Sequence, residues 1–205
     1  MSLIEHCNAL GIGVTPSSSP DQIIKELTAR SDDLKIKLLL GLALQEANRD
    51  SDAYRVFAEA ADAGSASGMY QQATYLYDGR GVTKDPYKAI ELMEKVVNSV
   101  IGENQSELEN MALLNLGRGY WDTFPHNAKK AEEYWLRAAK NGDGLVDAMT
   151  ELGKFYAHPE NNDPKQSFYW HQNAAGKGSS YSQTVIGIMY FRGQVNLSIY
   201  LSNTK

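Results

Sequence analysis

Apolar positions recur at the three-to-four-residue spacing of helices, and the helical stretches come in successive pairs. Leu38 and Leu42, then Val56, Phe57, Ala60 and Ala61, predict a helix over 33–47 and a second over 50–63 closed by Gly64. Further on, a block of the form small–x3–Leu–Gly–x2–Tyr is followed about twenty residues later by Ala-Ala. One copy reads MALLNLGRGYWD with AEEYWLRAAKNG, the next DAMTELGKFYAH with SFYWHQNAAGKG. Gly117 to Gly153 is 36 residues, Ala138 to Ala174 is 36, and Gly153 to Gly187 is 34. A period of this length marks stacked helix pairs, each burying its apolar face against its neighbours. The predicted fold class is all-α, an α/α solenoid of antiparallel helix pairs.

The same pattern sets the expected organisation. Residues 1–17 read as an irregular segment ending in the turn-rich TPSSSP, and 18–64 as an N-terminal helix and helix pair. Ser19 is the predicted N-cap of that first helix, with Pro20 at its first position. Repeats follow over 65–193, as 65–100, 111–142, 147–178 and a partial unit 181–193, with 98–110 as an insertion. Residues 194–205 leave the pattern and form a tail. The partial unit therefore presents Val185, Ile186, Ile188, Met189, Tyr190 and Phe191 without a second helix to cover them, as in a truncated or alternatively spliced array.

Small residues at 73, 117, 153 and 187 let two helices approach closely, and the paired alanines at 60/61, 138/139 and 174/175 do the same for the second helix of a pair. Tyr120, Tyr156 and Tyr190 fill the next layer with the hydroxyl toward water. In DGRGVTKDP, Gly79 and Gly81 supply positive φ, Val82 plugs the turn and Asp85 caps the next helix ahead of Pro86. The Gly-Arg-Gly-Val run lacks the preceding strand and the Gly-Lys-Ser/Thr ending of a phosphate loop and reads as a turn.

Leu-Gly-x2-Tyr, the Gly-x-Gly-Val loop followed by Asp, and Lys-Ala…Ala-Ala-x2-Gly together resemble the Sel1-like repeats, relatives of the tetratricopeptide repeats. The resemblance spans about 66–193, with a looser tetratricopeptide-like pair before it in 18–64, and implies a right-handed superhelix that binds protein partners. ATYLYDGRGV, ALLNLGRGYWD, AEEYWLRAAKNG, FYWHQNAAGKG and IGIMYFRG, in that order, are most similar to the megalin-binding branch of that family. That similarity implies an adaptor for the cytoplasmic tail of a low-density-lipoprotein-receptor-related receptor.

Composition narrows the function classes. The 205 residues carry 20 basic and 25 acidic side chains, a formal charge of −5, without the basic footprint of a nucleic-acid binder. The only cysteine, Cys7, excludes an intrachain disulfide and favours a reducing compartment. Glu5 is expected to raise its pKa and keep it inert. MSLIEHCNALGIGV has no cationic start, and the longest apolar run, LLLGLAL, is far below the ~20 residues of a membrane span. A cytoplasmic protein without direct membrane insertion is expected. His6, His126, His158 and His171 lack the i, i+4 spacing of a helical metal pair, and no nucleophile elbow appears. No catalytic, metal or cofactor site is therefore expected.

The candidate binding residues come from alignment of the repeats. The position after the small residue of the first helix, and those four and five further on, face the concave groove of tetratricopeptide-type units. They are Thr74, Arg118, Lys154 and Ile188, then Tyr77/Asp78, Trp121/Asp122, Ala157/His158 and Phe191/Arg192. Arg118 and Lys154, about 10 Å apart on adjacent helices, with Trp121, Asp122, His158, Phe191, Arg192 and Tyr77 suit an extended, carboxylate-bearing peptide. The expected function is a non-catalytic adaptor or scaffold. A regulatory subunit of an enzyme complex and a purely structural spacer are the alternatives.

Overall fold

The computed structural model describes residues 2–99 and 106–194, and among these every regular element is a helix, eleven in all. The chain divides into two compact units, Met1–Leu108 and Glu109–Lys205.

The first unit opens with α1 (Leu3–Ala9), where an irregular segment is expected from sequence. Ser2 and Glu5 form a capping box, and Cys7 is buried with Ile12 and Val14 from the following turn. Seven residues are two turns, too few to display a helical period, so only the cap announces the helix. Burial pushes the Cys7 thiol up, and the second cause is Glu46 rather than Glu5. Helix α2 (Pro20–Thr28) carries the expected Ser19 cap, here a box with Gln22. The pair α3 (Leu34–Glu46) and α4 (Asp50–Asp62) then packs through Gly41, whose absent Cβ would stand 2.3 Å from Cε1 of Phe57. Leu40-Gly41 is thus the Leu-Gly of this repeat-like pair, whose departure from the motif is Leu44 where the tyrosine is expected. Gly68 of α5 (Ala66–Asp78) lies against the backbone of Ala60 and Ala61, so the alanine pair of α4 admits the next helix.

Between α5 and α6 (Pro86–Ser99) the Gly-Arg-Gly-Val loop is a structural clasp, as its turn reading predicts. Arg80 Nη2 donates to Asp50 Oδ1 at 2.7 Å, and its guanidinium lies 4.7 Å from the Tyr75 ring centroid. The Tyr75 hydroxyl is bonded to Gln45 and Asp50, and Asp85 caps α6 through the Lys88 amide at 3.0 Å. Gly81, at φ 61°, brings the loop so close to the start of α4 that a Cβ would lie 2.4 Å from the Asp50 carbonyl carbon. Gly81→Ala is therefore expected to destabilise the first unit by about 2 kcal/mol, measured as a lowered urea midpoint at unchanged slope.

The second unit holds the last residues of α7 (Ser106–Asp122) with α8 (Ala128–Lys140), then α9 (Val146–Ala157) with α10 (Pro164–Gly176), then α11 (Ser180–Phe191). The anticipated insertion leaves α6 running to Ser99 and α7 starting at Ser106; its middle, 100–105, lies outside the described residues, as does the tail from 195 on. Both pairs use one packing device. A Cβ on Gly117 would stand 2.3 Å from Nε1 of Trp135, and one on Gly153 2.6 Å from Cε1 of His171. The second helix of each pair thus lays a ring flat on the glycine of the first. It also reaches that helix's carbonyls: Trp135 Nε1 donates to Leu114 O at 3.2 Å, and Ser167 Oγ to Gly153 O at 2.8 Å. The repeat tyrosines keep their hydroxyls at the boundary, Tyr120 to Lys130 Nζ at 2.8 Å and Tyr156 to Glu132. On α11 the apolar run divides by face: Met189 is buried, Val185, Ile186 and Tyr190 are half-buried, and Ile188 and Phe191 are exposed. Tyr190 meets Phe168 of α10 edge to face at 5.5 Å.

Candidate functional site

The first helices of successive pairs in the second unit, α7, α9 and α11, carry a continuous polar strip. Arg118 of α7 donates from Nε and Nη2 to Oε1 of Glu151 on α9, at 3.2 and 2.8 Å. Lys154 Nζ lies 3.4 Å from the other oxygen of Glu151 and 5.0 Å from the ring centroid of Tyr181 on α11. Glu151 is the more enclosed member, its side chain 17% exposed against 41% for Arg118 and 45% for Lys154. Two half-exposed cations are thus held by one sheltered carboxylate, leaving a net single positive charge on the strip.

Sequence alignment brings Arg118 and Lys154 to adjacent helices but misses Glu151 and Tyr181. The reason is side-chain direction. Side chains on a helix lean toward its N-terminus, so Arg118 reaches the level of Glu151, one turn before Lys154. Lys154 also lies against Tyr181, seven residues before its aligned position Ile188. The Glu151/Lys154 spacing of three residues is the signal in the sequence that points to the pair.

One turn beyond Arg118, Trp121 anchors an aromatic cluster. Its ring lies 5.3 Å from Phe155, 6.4 Å from Trp135, 5.1 Å from His158 and 5.2 Å from His126. Glu160, in the turn after α9, ties this cluster together: its Oε2 is 3.1 Å from His126 Nε2 and 3.9 Å from His158 Nδ1. Trp121 is half-buried, while the two imidazoles are exposed, so the cluster forms a partly open aromatic wall next to the charged strip. Asp122 is exposed at the end of α7. Phe191 is 92% exposed and Arg192 caps α11, both about 15 Å along that helix from Tyr181. Tyr77 belongs to the first unit, with Lys84 Nζ 5.7 Å from its ring centroid.

Beneath the strip lies a buried polar network. His171 is 1% exposed, and its Nδ1 is 3.0 Å from Ser182 Oγ, which is also within 3.4 Å of Thr150 and 3.2 Å of Ser179. Burial first, and the Lys154 charge second, hold the His171 pKa down at about 4. Burial and the hydrogen bond to Glu132 push the Tyr156 phenol well above its ordinary value. Neither is placed as a catalytic group: His171 is closed off under α11, and the Tyr156 proton is engaged by a carboxylate. Among the described residues no group of three or more His, Cys, Asp or Glu side chains is placed to hold a metal ion. Among them, too, no helix is long and apolar enough to cross a membrane.

The Gly-x-Gly-Val clasp and the ring-on-glycine pairs at 117/135 and 153/171 fall within residues 66–95, 110–143 and 146–179, which match the model of the Sel1 repeat. Those three segments are similar to the Sel1 repeat. Solved Sel1-type structures share the fold. One is c5321, a protective antigen of uropathogenic Escherichia coli displaying an SLR fold, at TM-score 0.71 and 20% identity over 91% of this chain. The chain spans 40% of the length of c5321. A Sel1 repeat protein from Oxalobacter formigenes matches at TM-score 0.66 and 22% identity, over 93% of this chain and 77% of its own. A MamA RS-1 double mutant matches at 0.61 and 16%, over 84% and 88%. Sel1-repeat proteins generally act as scaffolds for protein–protein interaction.

Proposed function

We propose that this protein is a non-catalytic adaptor whose α7–α9 strip binds an acidic, extended peptide segment. One observation carries the reading: Arg118 and Lys154 are pre-positioned by a shared, sheltered Glu151, with the Trp121 wall one turn away. Arg118 uses two of its five N–H groups on Glu151 and Lys154 one of three. A ligand carboxylate set across the two cations completes both shells with charge-assisted bonds, while an apolar ligand side chain packs on Trp121 and His158. Holding both long side chains in place beforehand lowers the ordering cost of binding.

The proposal covers Arg118, Lys154, Trp121 and His158, with Asp122 at its edge. It does not extend to Phe191 and Arg192, at the far end of α11, or to Tyr77 in the first unit. The cytoplasmic tail of a low-density-lipoprotein-receptor-related receptor is the partner class that the megalin-branch resemblance favours, and a cytoplasmic location goes with it. Regulation of an enzyme complex through the same strip is the second reading.

Affinity capture with the purified chain, followed by a peptide array of the captured partners, tests the proposal. Peptides with an acidic residue near an aromatic or aliphatic one are expected to dominate. Arg118→Gln/Lys154→Gln is expected to weaken them by about 2 kcal/mol, some thirtyfold. Glutamine keeps the length and avoids adding carboxylates beside Glu151. Unchanged affinity in the double variant would place the ligand elsewhere.

A further inference from the structure

Three of the four helix pairs pack by laying a ring of the second helix on a glycine of the first: Phe57 on Gly41, Trp135 on Gly117, His171 on Gly153. Gly187 of α11 occupies the same register, and among the described residues nothing stands within 4 Å of where its Cβ would be. The docking position is present, and no described residue fills it. Around it runs an exposed stripe of α11, comprising Tyr181, Thr184, Gly187, Ile188 and Phe191. These residues share one face by helical spacing, opposite the buried Ser182 and Met189.

In the three filled positions the ring follows its glycine by 16 or 18 residues. That spacing from Gly187 falls on 203–205, which are Asn, Thr and Lys, so the chain's own sequence offers no ring at the repeat register. The stripe itself offers one. Phe191 is 92% exposed, one turn from the open glycine on the same face. A knob and a hole on one face are self-complementary under a two-fold axis, where each contact is made twice.

We propose that α11 is a self-association surface, on which two copies of this chain cross antiparallel so that Phe191 of each docks on Gly187 of the other. The contact continues the packing already used three times inside the chain, with a second copy standing in for the covering helix. Charge does not oppose it: Ser180–Phe191 contains no ionisable acid or base apart from its tyrosines, although the whole chain carries −5. Two crossing helices bury less than the ~1,200 Å² of a standard stable interface. The association is accordingly weak, half-complete on the order of 100 µM.

Sedimentation equilibrium of the full chain from about 10 to about 500 µM, a range bracketing that midpoint, tests this. The expected mass rises from 22.7 kDa toward twice that value. Phe191→Asp and Gly187→Glu are each expected to hold it at 22.7 kDa with the helical circular dichroism intact, because both positions face open space. Mixed Gly187→Cys and Phe191→Cys chains are expected to cross-link to each other faster than either does to itself, with the buried Cys7 taking no part. A wild-type mass fixed at 22.7 kDa overturns the proposal. So does a dimer that survives either charged variant, or preferential cross-linking of like with like. Capture of a foreign helix by a chain that stays monomeric would assign the open glycine to a different partner and also overturn it.

Discussion

Trp135→Ala is expected to destabilise the second unit by about 4 kcal/mol, the largest single-residue effect we anticipate. The indole is 3% exposed, lies flat on Gly117, donates to Leu114 O and meets Trp121 and Phe155. Removing it leaves a cavity beside Trp121, whose ring also contacts His126 and His158 and is thereby restrained from moving into the space. Urea unfolding followed by far-ultraviolet circular dichroism reads the loss. Trp135→Phe keeps a ring on the glycine and is expected to recover more than half of the deficit. A loss below about 1 kcal/mol, the level of an ordinary substitution, would mean that the ring-on-glycine contact does not organise the pair.

The second large effect is on pH dependence. His171 has its pKa lowered from 6.5 to about 4 in the folded chain. Between those values the unfolded chain binds a proton that the folded chain refuses, so stability rises with pH across this window. The contribution is fully present above pH 6.5 and is lost as pH falls toward 4, by about 3 kcal/mol at 1.36 kcal/mol per unit. The informative quantity is the difference from a non-titrating variant, in which pH effects common to both proteins cancel. His171→Phe, which keeps a ring on Gly153 as Phe57 does on Gly41, is expected to be less stable than wild type at pH 7, through the lost Ser182 bond. It is expected to be nearly as stable as wild type, or more so, at pH 4.5. Parallel stability–pH curves for the two proteins would show that His171 does not carry the effect.

How much of this was legible beforehand follows from which physical signals reach the sequence. The pairs α5/α6, α7/α8 and α9/α10 announce themselves because close helix approach demands a small residue at a fixed place, and the demand recurs 44 residues after Ala73, across the insertion, and 36 after Gly117. Gly41 meets that demand too, and the pair α3/α4 was legible as helices from its apolar spacing, although Leu44 in place of the tyrosine loosens its match to the repeat motif. Helix α1 was invisible: two turns give no period, and its stabilisation comes from the Ser2–Glu5 box and from Cys7, Ile12 and Val14 entering the core.

The candidate site was legible at the level of which helix faces align. Arg118, Lys154, Trp121 and His158 were aligned from register alone. Their partners were not, because Glu151, Tyr181 and Glu160 are found by where long side chains lean and by how turns fold back, neither of which a register encodes. Glu151 changes the chemistry: the strip is a cation–carboxylate–cation relay with a single net charge, rather than two isolated positive groups.

The most direct test of the account is fluorescence anisotropy of an acidic peptide selected from the array, titrated with wild type, Arg118→Gln/Lys154→Gln, and Gly187→Glu as a control on the opposite use of α11. We predict that the first variant weakens binding at least tenfold, with a shallower salt dependence, while the Gly187 variant binds as wild type. Equal affinity for all three proteins would contradict the claim that the α7–α9 strip is where this protein meets its partner.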